Sequence, residues 1–341
     1  MKRKETTLTD IANVLGISAM TVSRAINGKA GICPDLMKRV LDTADEMKYV
    51  PSHSIKELVH AGNSMTVGVV VPHFANIFFP SILESIEKYL SAKGYRILFC
   101  CSFNDPINEF RKISSLLERK IDGIIWSPVV MENNESNINM IRRQKCPFVF
   151  LDRLVEPIVT DAVIVDDYNA MTMMVKHLIA QGFRKFMYMD ANRVSYVSRE
   201  RLCGFREALA NAGIPLRSDW VYAVGSDIAD GNYGAQKLLN SAEKPDVIVC
   251  YNDPLAMGVE QILLEHKIKI PNEIGITGFS GMKGTDLLPV PITTIQQNTA
   301  ELGTEAARIL LCRMRNPSMR FKSMKHIVPT KLLIRASTLK S

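Results

Sequence analysis

Two sets of polar side chains in this chain are spaced for recognition chemistry. In the first, Asp152-Arg153 follows the apolar run 148–151, Arg201 stands in Arg-Leu-Cys-Gly-Phe205, and Asn252-Asp253 follows the apolar run 247–251. Such groups can grip a small polar molecule, and arginine suits carboxylate and phosphate through its paired N–H donors. A single Asp or Arg would read as half of a surface salt bridge. Five polar positions gathered at strand ends read instead as a ligand pocket. In the second set, Thr21, Ser23, Arg24 and Asn27 fall within one short segment. Hydroxyl and amide groups there can set register on phosphates, and Arg24 has the reach for a guanine edge. Covalent chemistry is not indicated: there is no Gly-x-Gly-x-x-Gly, no phosphate-binding Gly-Lys-Ser/Thr loop and no His-Glu-x-x-His. The six histidines are scattered, and His53 and His60 lack a third ligand nearby, so no metal, cofactor or catalytic residue is expected. Asp166-Asp167 reads as a helix start, where negative charge is favoured.

The elements that must hold the second set are short helices. Ile11, Ala12 and Leu15 form one apolar face, Gly16 ends that helix, and Ile17 plugs the turn. Ser18 is suited to cap the next helix through its hydroxyl. Val22, Ala25 and Ile26 then face inward, Ala19, Met20, Ser23 and Arg24 face out, and Gly28 closes the helix. Two short helices with a tight turn are the geometry that lays the second in a DNA major groove, although an ordinary helical hairpin has the same spacing. A third helix follows at 34–48, with Val40, Leu41, Ala44 and Met47 as its stripe and Pro34 in its first turn. Cys33 stands where a cap is wanted and supplies a poor one.

The wording of this head, Thr21-Val22-Ser23-Arg24 with Asn27-Gly28 and then Val40-Leu41 through Tyr49-Val50-Pro51, resembles the lactose-repressor (LacI/GalR) family of bacterial transcription regulators. The resemblance runs on through most of the remaining chain. It implies that Ala19 and Met20 choose bases. Both are apolar and suit thymine methyls rather than bidentate pairing. Thr9 and Ser18 complete the DNA-contacting set. It also implies a hinge helix within 51–65 whose apolar residues, Ile55 and Leu58, wedge into the minor groove when two subunits pair. Leu58 matches the family's wedge leucine, whereas Ile55 replaces a usual alanine. The domains expected are a helix-turn-helix head over 1–50, hinge and linker over 51–65, and an effector-binding and dimerisation body over 66–341.

In the body the pattern becomes strand–helix alternation. Strands are expected at 67–71, 96–101, 123–126, 148–151, 162–165, 185–189 and 247–251, with helices at 78–93, 107–119, 170–181, 199–212, 233–241, 254–266 and 299–315. This rhythm predicts an α/β body of parallel sheets covered by helices, with ligand at the strand carboxyl ends. The resemblance implies a two-lobed body like the periplasmic sugar-binding proteins, with crossovers near 160 and 290. It carries over pocket roles to His73, Phe78, Phe79, Asp152, Arg153, Arg201, Asn252 and Asp253, and to Asp227 by a less direct match. In Gly278-Phe279-Ser280-Gly281, Ser280 replaces the family's aspartate, which grips sugar hydroxyls. Losing that carboxylate while keeping Arg153 and Arg201 favours a sugar acid or sugar phosphate as effector, with a neutral sugar as the alternative.

Bulk composition bounds these readings. A hydrophobic share of 47% is ample for a packed core, and no apolar run approaches a membrane span. The net charge is +7, but residues 1–60 hold nine Lys/Arg against seven Asp/Glu, so charge alone does not make the head a DNA binder. Seven cysteines without a Cys-x-x-Cys and a basic start without an apolar h-region fit reduced thiols in a cytoplasmic protein. The expected partners are pseudo-palindromic operator DNA, a small effector and a second copy of the chain, since one short helix-turn-helix reads only a half-site. No heptad array that would add a tetramer is present. A solute-binding protein of the same two-lobed fold would leave the head unexplained.

Overall fold

The computed structural model describes residues 6–26, 31–49, 64–74, 76–129, 134–191, 195–316 and 322–340. The chain divides into a head unit, 1–63, and a body unit, 64–341.

The head is built of α1 (Leu8–Leu15), α2 (Ala19–Ile26) and α3 (Pro34–Glu46). Thr7 and Asp10 form a reciprocal cap at α1, with Asp10 Oδ2 accepting the Thr7 N–H at 2.8 Å. Gly16 leaves α1 in the left-handed region at φ 66°, where a Cβ would be penalised. Ser18 Oγ accepts the Thr21 N–H at 3.1 Å and so starts α2. Ile11, Ala12, Val22, Ala25, Val40 and Ala44 make the buried core. Leu41 is exposed, because it lies a sixth of a turn or more beyond the face that Val40 and Ala44 share. Cys33 makes no side-chain cap at α3.

In the body the first lobe runs β1 (Thr66–Val71), α4 (Phe78–Ser91), β2 (Arg96–Cys101), α5 (Pro106–Glu118), β3 (Gly123–Trp126), α6 (Glu135–Arg143), β4 (Phe148–Leu151) and β5 (Asp161–Val165). The second runs α7 (Asp167–Ala180), β6 (Phe186–Asp190), α8 (Tyr196–Asn211), β7 (Val221–Ala223), α9 (Ile228–Leu239), β8 (Val247–Cys250), α10 (Asp253–Glu265), β9 (Gly275–Ser280) and β10 (Thr293–Gln297). The chain then returns through α11 (Thr299–Arg315) and β11 (Lys325–Val328) to the first lobe and ends with β12 (Thr330–Leu333) in the second. The sheet orders are β11-β5-β4-β3-β1-β2 and β12-β10-β9-β8-β6-β7. Pairing is parallel except for β12 against β10. Strands such as Val67-Gly-Val-Val-Val71 are buried on both faces, as parallel sheets covered by helices require.

The lobes are therefore joined three times, at Asp166, Asn298 and Pro329. The only local signal of the third passage is Pro329, which cannot donate to a strand ladder. β11 and β12 are separated by that one residue, and nothing local says that they join different sheets. Helix α11 packs on α4 at Gly303, where a Cβ would collide with Ser85 Oγ and the Ile82 carbonyl. Among the described residues no helix is long and apolar enough to cross a membrane.

Candidate functional site

The polar residues at strand carboxyl ends meet between the lobes, and most of them are already engaged with each other. Arg201, on α8, donates from Nε to Asp167 Oδ1 at 2.7 Å and from Nη1 to the Tyr251 carbonyl at 2.6 Å. Its guanidinium lies 3.6 Å from the Phe279 ring centroid and 4.7 Å from that of Tyr251. It is 3% exposed, and its Nε and Nη1 are already engaged within the protein. Asp166 does start a helix, accepting the Asn169 N–H at 3.0 Å. Asp167 does more: its side chain points into this ion pair, and burial pushes its carboxyl up to about 7 against the pull of Arg201.

Arg153 differs. Its Nη1 donates to the Pro128 carbonyl at 3.4 Å, and its Nε stands 3.8 Å from Asp152 Oδ2. Nε has no hydrogen-bond partner although the residue is only 6% exposed. Asp152 turns the chain at the end of β4 with φ 66°, and burial raises its carboxyl although Arg153 and Arg201 lie close. Asp167 Oδ2, Tyr188 Oη and Gln297 Nε2 are further buried atoms at this centre without a partner. Buried polar atoms are almost always paired, so an unpaired donor and acceptor at strand ends mark a place for a ligand's own polar atoms.

Other expected pocket residues serve the scaffold. Asn252 caps α10, its Oδ1 accepting the Leu255 N–H at 3.0 Å while its Nδ2 donates to the Ser226 carbonyl at 2.8 Å. Asp253 accepts the Thr294 hydroxyl and the Met282 N–H, both at 2.6 Å, and burial pushes it up to about 6. These bonds fix the segment that leaves β9, whose last residue, Ser280, sits at φ 128°, a backbone region that favours glycine. Phe79 is 1% exposed and belongs to the core, with the His73 ring edge-on to it at 5.2 Å. His73 and Phe78 are half-buried beside it. Asp227 is exposed at the start of α9, where its N–H is bonded to Asp230, and is not part of the buried cluster.

Sequence reasoning missed several neighbours. Asp190 ends β6 as Asp152 follows β4. It accepts the Ser198 hydroxyl at 2.7 Å, and burial pushes it up to about 6. Glu109 is fully buried, and its Oε1 accepts Trp126 Nε1–H and the Val129 N–H, each at 2.8 Å. Burial pushes this carboxyl up to about 7. The signal was available: Glu109 shares one helical face with Ile113 and Leu116. Between the lobes, Arg199 Nη2 donates to Glu156 Oε2 at 2.7 Å and Lys325 Nζ to Tyr196 Oη at 3.3 Å.

On the head, α2 presents Met20, 74% exposed, and Arg24, also exposed. Ala19 and Ser23 are half-buried rather than outward, because Ala19 packs against the head core. Thr9 is exposed on α1, and the Ser18 and Thr21 hydroxyls are bonded to each other at 2.9 Å. Asn27, Ile55 and Leu58 lie outside the described residues.

Two family profiles match this arrangement. "Bacterial regulatory proteins, lacI family" covers residues 7–52, and "Periplasmic binding proteins and sugar binding domain of LacI family" covers residues 64–336. The chain belongs to the LacI family. Among LacI-family relatives, the "HTH-type transcriptional regulator DegA" of Bacillus subtilis (strain 168) is 28% identical over 335 residues, 98% of each chain. The "HTH-type transcriptional repressor PurR" of Vibrio parahaemolyticus is 26% identical over 312 residues, 91% of this chain and 92% of that one. The lac repressor dimer bound to operator and the anti-inducer ONPF shares the fold, with a TM-score of 0.81 at 20% identity over 99% of this chain and 100% of that one. This LacI-family chain is a DNA-binding transcriptional regulator with a sugar-binding type of body, and not an enzyme.

Proposed function

We propose that the chain is a cytoplasmic repressor that binds pseudo-palindromic operator DNA as a homodimer and is controlled by an acid-bearing carbohydrate held between the lobes. The observation that carries the effector class is Arg153: a buried guanidinium with an unbonded Nε. A sugar carboxylate or phosphate would take that donor, and sugar hydroxyls would satisfy Asp167 Oδ2 and Tyr188 Oη. Arg201 contributes as a stacked, paired wall rather than as a second clamp.

Control follows from linkage. An effector bridging the two lobes has different affinities for different lobe separations, and that difference is the free energy it can pass to DNA binding. The second copy would cover an apolar face on the first lobe, where Phe74 packs against Phe99 of edge strand β2 with ring centroids 4.2 Å apart and Phe103, Ile107 and Phe110 are exposed. On DNA, Met20 supplies apolar contact to thymine methyls and Arg24 the polar reach.

The test is thermal-shift screening against sugars, sugar acids and sugar phosphates, with Arg153→Ala beside the wild type. An acidic hit at a hundredfold excess over Kd stabilises the fold by about 2.7 kcal/mol, and Arg153→Ala abolishes the shift. A shift from neutral sugars alone would transfer the specificity to Asp152 and overturn the acidic reading.

A further inference from the structure

A cavity of about 670 Å³ lies where the chain passes between the lobes. Its walls come from both. Glu84 and Lys88 project from α4 of the first lobe, and Lys283 and Lys331 come from the segment after β9 and from β12 of the second. The passages at Asn298 and Pro329 line it between them. All three lysines are exposed, and among the described residues none of them has a carboxylate partner. One carboxylate, Glu84, faces three ammonium groups on this lining, so the cavity carries a positive surplus. Thr299, in the first turn of the 17-residue α11, lies at its edge and adds the positive end of a helix dipole.

We infer that this cavity is a second effector site, for a small anion carrying at least two negative charges, of the phosphate-ester class. The volume suits a small metabolite, and the lysines act as point charges for phosphate. The site has a direct mechanical meaning. With no anion present, Lys88 on one wall repels Lys283 and Lys331 on the other. A bound dianion replaces that repulsion by attraction and draws the walls together. It therefore has different affinities for different lobe separations and would modulate the cleft effector without touching it.

Isothermal titration of the full-length protein with inorganic pyrophosphate, at fixed ionic strength, tests this. The expected result is saturable binding that the triple variant Lys88→Ala/Lys283→Ala/Lys331→Ala weakens at least tenfold. Glu84→Gln, which removes the one opposing charge, tightens it severalfold. Arg153→Ala leaves it unchanged, so failure of the cleft reading and failure of this one are told apart. No heat of binding at millimolar pyrophosphate would overturn the proposal. So would binding unaltered in the triple variant, or binding lost in Arg153→Ala instead.

Discussion

The head and the cleft both recognise ligands, yet they arrange polar atoms in opposite ways. Helix α2 exposes Met20 and Arg24 to solvent on the side away from the core that Val22 and Ala25 make. The cleft buries its polar residues and spends most of their hydrogen-bonding capacity internally. Arg201 goes to Asp167, Asn252 to α10 and Ser226, and Asp253 to Thr294 and Met282. On a surface, residue type and helical spacing identify what can touch a partner. In a buried site, only the polar atoms left over after internal pairing can do so, and in the cleft these are few.

The contrast can be broken most forcefully at Asp167. Replacing it by alanine leaves the Arg201 charge buried and unpaired, which should destabilise the body by about 3–5 kcal/mol. Urea unfolding followed by circular dichroism measures this. A midpoint equal to wild type would mean that Arg201 does not depend on its partner and that the cleft is as loosely held as the head.

A somewhat smaller effect concerns pH. Glu109 is pushed from 4.5 up to about 7 by burial. A carboxyl whose folded value is raised binds its proton more tightly in the native state. The stability this confers is complete below the unfolded value and is lost as pH rises through about 7, a loss of about 3 kcal/mol from Glu109 alone. Asp167, Asp190 and Asp253 carry the same sign. Chemical denaturation at pH 5 and pH 8 should therefore show a less stable body at pH 8. Glu109→Gln, which cannot ionise, should reduce the difference by the Glu109 share and leave that of the aspartates. A body that gains stability over this range would contradict the burial of these carboxyls.

The smallest effect sharpens the comparison from the other side. Met20→Ala should change head stability by no more than about 0.5 kcal/mol, since the side chain is exposed, while weakening operator binding. Gel-shift titration alongside thermal melting separates the two. A large loss of stability would place Met20 in the core.

Much of the cleft was legible as a neighbourhood and little of it as a function. Strand ends drew attention to Asp152, Arg153, Asn252 and Asp253 because periodicity and strand length are local properties. The same rule applied to the strand ending at Asp190 would have included it. Phe79, to which the resemblance gives a pocket role, packs in the core between His73 and Phe78, a placement that residue type alone does not reveal. Glu109 escaped notice because one charged residue in a helical stripe reads as surface until Trp126 and Val129 are brought to it.

The sequence by itself determined the three-helix head, the parallel strand–helix body and the positions of the strand-end polar residues. Each is written in spacings of a few residues that the backbone converts directly into helix faces and strand alternation. The tertiary structure alone decided which polar atoms remain open. Asp167 and Arg201 stand 34 residues apart and pair only because α7 and α8 lie side by side, leaving Arg153 as the arginine with an unbonded Nε. It alone decided, too, that Val328 and Thr330 belong to different sheets, since only the packed lobes distinguish two strands joined by Pro329 from a single one.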